Sequence, residues 1–540
     1  MKRPASAAAR KSTPAVKATP WVADRGDGTY QNPVLFADYS DPDAIRVGGD
    51  YWMTSSSFCH VPGLPILHSP DLVNWTLVNH ALPQLVPAGH FSRPRHGHGV
   101  WAPSIRHHQG KFWIYYPDPD FGLYVITTSD PRAGWSQPVL VKQGAGLIDP
   151  CPYWEPDGTG YLVHGWAKSR SGIKNRVTLH RLTADSFGVA DAGEVIIDGD
   201  RMPGWNTIEG PKLYRRGEYY YIFAPAGGVT DGYQAVFRAR YLRGPYENRI
   251  VLARGATPIN GPHQGAWLDT PSGEHWFVHF QEMPAYGRVV HLQPLRWIND
   301  WPVIGDDPDG DGTGEPVLVN RNPQPKVSEP PTGPAVSDEF DGDSLGLQWQ
   351  WQANPQPDWA SLRAVPGSLR LRCVGQGSPD TLWSAAHLLM QKFPAPAFEV
   401  TTFFDFSPAA DGDVAGLVVF GFACGWIGLR RERGELRLVV NRCDDAQAGG
   451  VEKEIAAIAH TSGKIHLRVS VGAGARCQFA FSTDGAAFSA LGDAFQARSS
   501  YWVGAKVGLF ASGRGDGNGN GSGSSGHVDI DWFRVTSLPV

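Results

Sequence analysis

Short runs of alternating apolar and polar residues, separated by glycine-containing turns, dominate the first 320 or so residues. One module recurs: a polar start, a short apolar strand, a turn with glycine, and a strand rich in aromatic residues. Its five copies begin at Asp41, Ala102, Asp149, Glu209 and His263. Their aromatic anchors, Tyr51, Phe112, Tyr161, Tyr219 and Trp276, are 61, 49, 58 and 57 residues apart. Each copy is predicted to be a β-hairpin, and repeats of about 50–60 residues with four short strands each are typical of propeller blades. We therefore predict a five-bladed β-propeller over residues 21–321, with a β-sandwich as the alternative.

The rest of the chain alternates in the same way but does not repeat. Stretches such as SLRLRC at 368–373 and KIHLRVSV at 464–471 are typical of half-buried strands. About 200 residues in one non-repeating unit predict a two-sheet β-sandwich over 337–540. Residues 322–336 hold five prolines, which predicts an extended linker between the two domains. The Gly/Ser/Asn-rich run at 512–526 predicts a flexible loop.

Composition supports an all-β chain and excludes several classes of protein. The 540 residues include 64 Gly, 44 Pro and 20 Trp but only 19% charged residues, which excludes a helical bundle, a coiled coil and a collagen. A net charge of −5 provides no basic surface for nucleic acid, and the lack of a long apolar run predicts no membrane span. Oligomeric state is not indicated.

The N-terminal segment is treated apart from the fold. Residues 1–20 are basic and interrupted by prolines, which predicts a disordered tail. They lack the apolar core of a secretory signal, so the location stays open between cytoplasm and periplasm.

The starts of the modules carry the candidate chemistry. Inner strands of a propeller begin around a central funnel, so Asp41, Asp149, Glu209 and His263 are expected to converge there. Converging carboxylates raise one another's pKa and are costly unless they are used. Glycoside hydrolysis uses such a set, with one protonated acid and one ionised base. Turn capping by Asp-Pro at the strand starts is the structural alternative, and a carbohydrate-binding propeller without catalysis is the functional one.

Several motifs, in order as well as content, resemble family 43 glycoside hydrolases. They are QNPVLFADYSDPDAIRVGGDYWMTSSS from Gln31, IDPCPYW from Ile148, TIEGPKLY from Thr207, NGPHQGAW from Asn260 and YGRVVHLQPLRW from Tyr286. The subgroup resembled contains β-xylosidases and α-L-arabinofuranosidases with a C-terminal concanavalin-like β-sandwich. The resemblance implies an inverting, exo-acting enzyme that removes terminal pentoses, β-1,4-xylose or α-L-arabinofuranose, from hemicellulose oligosaccharides, with no cofactor required for the chemistry.

The resemblance also implies residue roles. Asp41 would be the general base, Glu209 the general acid, and Asp149 the residue that tunes the pKa of the acid and orients it. Asp38 and Asp43 flank Asp41 and are the alternative bases.

Four further residues would bind the substrate: Phe58, Trp101, His263 and Arg288. Arg288 would hold two adjacent hydroxyls of the terminal sugar, and the two aromatic rings would pack on it. His263 would lie in the funnel near a water-bound Ca²⁺, without a direct bond, because Ca²⁺ prefers oxygen. Cys59 and His60 follow Phe58 where the xylosidases often carry an acidic-aromatic pair, which leaves the specificity open.

Two acidic segments are candidates for a structural Ca²⁺. The segment 337–343 would bind the ion through Asp338, together with Asp529 or Asp531, as in concanavalin-like domains. Asp307, Asp309 and Asp311 match the start of a calcium loop, but its twelfth position is Leu318, so a solvated turn is the preferred interpretation there.

Overall fold

The computed structural model describes residues 19–324, 331–375, 381–513 and 525–539. Five four-stranded antiparallel sheets follow one another in the first domain, and each keeps its strands in chain order. This arrangement confirms the predicted propeller and shows that the sandwich alternative for this part was wrong. Of the predicted segments, residues 1–18, 325–330 and 514–524 lie outside the described residues, and the predicted domain limits stay predictions.

The blades are numbered along the chain. Blade 1 consists of Asp43–Val47, Asp50–Thr54, Gly63–Ser69 and Thr76–Leu82. Blade 2 consists of Ser104–His108, Lys111–Asp118, Gly122–Thr128 and Val139–Gln143. Blade 3 consists of Leu147–Trp154, Gly160–Trp166, Arg176–Arg181 and Glu194–Asp198. Blade 4 consists of Lys212–Arg216, Tyr219–Ala226, Tyr233–Ala239 and Glu247–Leu252. Blade 5 consists of His263–Asp269, His275–Met283, Gly287–Ile298 and Trp301–Ile304.

The two ends of the propeller segment are joined by backbone pairing. Thr29–Gln31 pairs antiparallel with Val319–Arg321, and Leu35 forms a bridge with Val290 of blade 5. The side chain of Asn32 adds a bond to the carbonyl oxygen of Leu292 at 2.8 Å. These contacts hold the segment that leads to Asp41 against blade 5, so residues from opposite ends of the domain become neighbours.

The second domain is a sandwich of two eight-stranded sheets, and the predicted two-sheet sandwich is confirmed. The first sheet is formed by Gln350–Trp351, Val374–Gly375, Leu389–Lys392, Val414–Phe420, Cys424–Glu432, Glu435–Cys443, Lys453–His460 and Lys506–Gly513. The second is formed by Ala360–Ser361, Leu369–Arg372, Phe398–Ser407, Lys464–Gly472, Arg476–Ser482, Ser489–Ala490, Phe495–Gln496 and His527–Ser537. Every second residue of Lys464–Gly472 is buried, which is the period of a strand with one face in the core.

Helices are few and short in the part of the chain that is described. The α-helix is Lys168–Ser171, and the 3₁₀ turns are His90–Ser92, Gly199–Arg201, Leu382–Ser384, Ala446–Ala448 and Ala473–Ala475. None of the helices in these described ranges has the length and apolar character needed to cross a membrane.

Candidate active site

A pocket of about 260 Å³ opens where the inner strands of the blades begin. The three carboxylates that the sequence singled out, Asp41, Asp149 and Glu209, all line it. They come from blades 1, 3 and 4, so the propeller brings together residues that are up to 168 positions apart. The predicted convergence of the module starts is therefore found for these three side chains.

The backbone around the pocket is strained. Five of its lining residues have left-handed φ angles, which are uncommon outside glycine: Asp41 (55°), Phe58 (52°), Asp149 (55°), Thr207 (52°) and Gln264 (44°). Such conformations cost roughly 1–3 kcal/mol each and cluster at functional sites. Because five such residues line one pocket, we infer that the surrounding fold maintains these conformations and thereby fixes the directions of the five side chains.

Asp41 is held by hydrogen bonds to both of its carboxylate oxygens. Oδ1 accepts from Nη1 of Arg288 at 2.9 Å, and Oδ2 accepts from the hydroxyls of Ser40 at 3.0 Å and Ser56 at 2.5 Å. The residue is only 5% exposed. The carboxylate is consequently fixed in orientation with one edge towards the pocket.

The two alternative bases are engaged elsewhere. Asp43 is fully buried and forms ion pairs with Arg106 at 2.7 Å and Lys212 at 3.8 Å. Both oxygens of Asp38 accept backbone N–H groups, and neither Asp38 nor Asp43 lines the pocket. Of the three neighbouring aspartates, Asp41 alone reaches the cavity.

Asp149 and Glu209 are adjacent carboxyl groups in different environments. Oδ2 of Asp149 accepts the N–H of Gly210 at 2.8 Å, so Asp149 holds the backbone directly after Glu209. Burial, together with the negative charge of Glu209, raises the pKa of Asp149 to about 7. Glu209 is more accessible, with a side chain that is 25% exposed. The pair thus combines a buried carboxyl group that readily holds a proton with an accessible one that faces the pocket.

His263 lies behind Glu209. Its Nε2 is 2.9 Å from Oε1 of Glu209, and the residue has no exposed surface. Nδ1 has no hydrogen-bond partner among the described residues. His263 does not line the pocket, so direct contact between this residue and a sugar stays a prediction.

The other three predicted binding residues do line the pocket. Phe58 and Trp101 meet edge to face, with ring centroids 6.5 Å apart. Arg288 is 5% exposed, donates from Nη1 to both Asp41 and the hydroxyl of Ser40, and lies over the ring of Phe280 at 4.8 Å. The guanidinium is therefore oriented within the pocket before any ligand binds.

Sequence reasoning missed one lining residue from the second domain. Trp502 comes from the loop before the strand Lys506–Gly513, is 45% exposed, and lies 5.9 Å from Trp101 between ring centroids. Thr207, Val229 and Gln264 were also missed. The adjacent aromatics Tyr501 and Trp502 in a turn were the available signal, but nothing in the sequence connects that turn with blades 2 and 5.

The predicted calcium residues have other partners. Asp338 accepts hydrogen bonds from the N–H groups of Phe340 and Gly346 and from the indole of Trp349. Among the described residues, Asp307, Asp309 and Asp311 form the one group of three or more acidic, His or Cys side chains close enough to share an ion. All three accept backbone N–H groups within their own turn, which agrees with the preferred interpretation of a solvated turn. A bound Ca²⁺ at Asp338 and Asp531 stays a prediction.

Comparison with known proteins identifies both domains. Residues 30–302 match the model for glycosyl hydrolases family 43, and residues 337–536 match the model for the beta xylosidase C-terminal concanavalin A-like domain. A protein from Xylanibacter ruminicola named "Putative beta-xylosidase" is 38% identical over 501 residues, which are 91% of this chain and 87% of that protein. The "Non-reducing end alpha-L-arabinofuranosidase BoGH43B" of Bacteroides ovatus is 27% identical over 74% of this chain and 75% of its own length.

Solved structures agree with this assignment. The GH43 BlXynB protein from Bacillus licheniformis has a TM-score of 0.80 and 27% identity, covering 94% of this chain and 100% of that one. Sequence and structure therefore agree over both domains: the chain belongs to glycosyl hydrolase family 43 and is a glycosidase of that family.

Proposed function

We propose that the enzyme removes single terminal pentose residues, β-1,4-linked xylose or α-linked L-arabinofuranose, from the non-reducing ends of hemicellulose oligosaccharides, with inversion. The observation that carries the proposal is the meeting of Asp41, Asp149 and Glu209 in one small pocket bordered by Trp502. A pocket of about 260 Å³ suits one terminal sugar better than a chain passing through it. The non-catalytic alternative has no support from the family comparisons.

In the proposed reaction Asp41 is the general base. Its carboxylate takes a proton from a water molecule while the oxygen of that water attacks the anomeric carbon. The bond from that carbon to the glycosidic oxygen breaks, and Glu209 gives its proton to the departing oxygen. An inverting enzyme needs the two carboxyl groups about 6.5–9.5 Å apart so that the water fits between base and sugar. These two groups and water suffice, so the chemistry requires no organic cofactor.

The neighbours of the acid support this division of roles. Asp149 holds the backbone after Glu209 through Gly210, and His263 contacts the carboxyl group itself. Burial and the negative charge of Glu209 raise the pKa of Asp149, so Asp149 readily holds a proton beside the proposed acid. In this proposal His263 is a positioning residue for the acid.

Arg288 is proposed to bind the terminal sugar. Its planar fork is suited to two adjacent hydroxyl oxygens, and Nη1 is already anchored on Asp41. Because the same residue touches the base and the sugar, it aligns the attacking water with the anomeric carbon. Phe58, Trp101 and Trp502 supply apolar surface around the ring.

The test is hydrolysis of 4-nitrophenyl β-D-xylopyranoside and 4-nitrophenyl α-L-arabinofuranoside by the wild type and by Glu209→Ala. We expect turnover of at least one substrate, with kcat/KM about 10-fold or more lower in the variant, because 4-nitrophenolate needs only part of the help that a general acid gives to a sugar leaving group. Glu247→Ala is the matched control, because Glu247 is exposed and pairs with Arg238 on blade 4, away from the pocket. Full activity in Glu209→Ala would contradict the acid assignment, and the ratio of the two substrates decides the sugar. Proton NMR of the first anomer released tests inversion.

A structural Ca²⁺ at Asp338 and Asp531 remains part of the proposal. Carboxylate oxygens are the ligands that Ca²⁺ prefers, and Oδ1 of Asp338 accepts a single N–H bond, which leaves it one lone pair, whereas Oδ2 accepts two such bonds. Chelation by EDTA should lower the Tm, and added CaCl₂ should restore it. An unchanged Tm after chelation would remove the ion from the proposal.

A further inference from the structure

Asp38 is a buried carboxylate that the proposed reaction does not use. It lies three residues before Asp41, is 3% exposed and does not line the pocket. A buried carboxylate is costly unless hydrogen bonds and nearby positive charge stabilise it. Its partners therefore indicate what the residue does.

The two oxygens of Asp38 bind backbone groups from different domains. Oδ1 accepts the N–H of Arg288 in blade 5 at 2.9 Å, and Oδ2 accepts the N–H of Gly504 in the sandwich at 3.1 Å. One side chain thus joins the propeller strand that carries the sugar-binding arginine to the sandwich loop that carries Trp502.

The backbones of the two domains are in direct contact at this point. Gly287 has φ +77°, and a Cβ placed there would lie 2.4 Å from the nitrogen of Gly504 and 2.6 Å from Oδ1 of Asp38. A Cβ on Gly504 would lie 2.4 Å from the carbonyl oxygen of Tyr286. The next residue, Ala505, donates its N–H to the carbonyl oxygen of Ala285 at 2.6 Å. Only glycine at both positions permits this approach.

The two segments that Asp38 joins each contribute a residue to the pocket. Arg288 continues from its bond with Asp38 to the carboxylate of Asp41, and Trp502 lies two residues before Gly504. A shift of the sandwich loop would therefore move a wall of the pocket and the backbone of Arg288 together. Both domains therefore contribute a residue to the pocket next to the contact at Asp38.

We propose that Asp38 is a positioning residue that links docking of the sandwich loop 500–504 to the placement of Arg288 and Trp502, and so sets substrate affinity. This inference rests on the proposed glycosidase site. Loss of the carboxylate leaves two buried N–H groups, one in each domain, without their acceptor.

Steady-state kinetics of Asp38→Asn test the proposal. The amide offers one acceptor oxygen instead of two, so one of the two N–H groups loses its partner. We expect kcat/KM to fall about 10-fold or more, mainly through a higher KM. The matched control is Asp71→Asn, because Asp71 is also 3% exposed and accepts the N–H groups of Val73 and Asn74, but within a turn of blade 1. If Asp38→Asn and Asp71→Asn lower the Tm equally and also change kcat/KM and KM equally, the proposal would be overturned.

A double-mutant cycle separates positioning from general damage. If Asp38 acts through the loop, the effect of Asp38→Asn on KM should shrink at least about threefold in a Trp502→Ala background, whereas Asp71→Asn should act independently. If the fold-changes in KM of Asp38→Asn and Trp502→Ala simply multiply in the double variant, the proposed link between Asp38 and the sandwich loop would be overturned. Gly504→Ala disturbs the same contact from the sandwich side and replaces Asp38→Asn if that variant fails to fold.

A readout without turnover keeps this inference separate from the proposed function. In hydrogen–deuterium exchange, Asp38→Asn should increase exchange in both 284–289 and 500–506, and Asp71→Asn in neither. If the wild type hydrolyses neither aryl glycoside, the proposed function fails. The exchange experiment would still test whether Asp38 connects the two domains. Unchanged exchange in both segments would overturn it.

Discussion

Trp502 of the sandwich meets Trp101 of the propeller edge to face, with ring centroids 5.9 Å apart, and both rings line the pocket. The contact makes one wall of the pocket depend on the second domain. The sandwich thus contributes to the pocket although none of its carboxylates lines it.

Replacement of this ring should therefore weaken substrate binding. For Trp502→Ala we expect KM for the better aryl glycoside to rise about 10-fold or more, because the apolar surface that we propose packs on the sugar is lost. Trp532→Ala is the matched control, since Trp532 stacks on Phe403 within the sandwich. Initial-rate kinetics decide the matter. Equal KM values for the two variants would show that Trp502 does not contact the substrate.

The fork of Arg288 should not be replaceable by another cation. Arg288→Lys keeps the charge but loses the planar pair of donors, so it cannot hold Asp41, Ser40 and two hydroxyls together. We expect kcat/KM to fall about 100-fold with a small change in Tm. Arg216→Lys serves as the control, because Arg216 is half-buried on blade 4, pairs with Asp300 and does not line the pocket. Retention of activity in Arg288→Lys would mean that charge alone is sufficient.

Local signals predicted the architecture well because a propeller blade is built from hairpins. The alternation and turn residues of each module specify its strands without reference to distant residues, and the five copies then predict five blades. The carboxylates Asp41, Asp149 and Glu209 could be predicted for the same reason, since each occupies the same place in its module.

Features that depend on packing between distant segments could not be predicted. The sequence motif singles out Asp41 among three neighbouring aspartates, but only the positions of Gly504 and Arg106 show that Asp38 joins two domains and that Asp43 forms a buried ion pair. His263 begins its module like the acids, yet its ring contacts Glu209 behind the pocket, although Asp149 and His263 both lie at a register shift of their first strand.

The raised pKa of Asp149 predicts that this residue lowers the stability of the folded protein at neutral pH, although the proposed activity requires it. In the unfolded chain the group titrates near 3.8, and in the folded protein at about 7. Between these values the native state binds more protons than the unfolded state, so the contribution of Asp149 to stability falls as pH rises from 4 through 7. In Asp149→Asn this loss is absent.

We therefore expect the Tm of Asp149→Asn, relative to the wild type, to rise from pH 4 to pH 8 while activity drops at every pH. Differential scanning fluorimetry across this range measures the difference. Asp157→Asn, at an exposed turn position, should show no such trend. A constant Tm difference for Asp149→Asn would contradict the raised pKa.

A second titration is expected at the domain interface. Lys506 is 2% exposed, and burial together with the opposite Lys392 lowers its pKa to about 7, although Asp38 and Cys59 oppose the shift. Between pH 7 and the unfolded value of 10.5, the unfolded state binds more protons, so the contribution of Lys506 to stability rises with pH.

Lys506→Met removes this titration while keeping the length and apolar body of the side chain. The Tm of the variant relative to the wild type should be highest at or below pH 7 and should decrease as pH approaches 10. Lys464→Met provides the control, because the side chain of Lys464 is 65% exposed on the surface of the sandwich. If the Tm difference for Lys506→Met does not change with pH, Lys506 keeps its proton in the folded protein. Asp38 would then be neutralised at the domain interface by a permanent cation, and docking of the two domains would be independent of pH in this range.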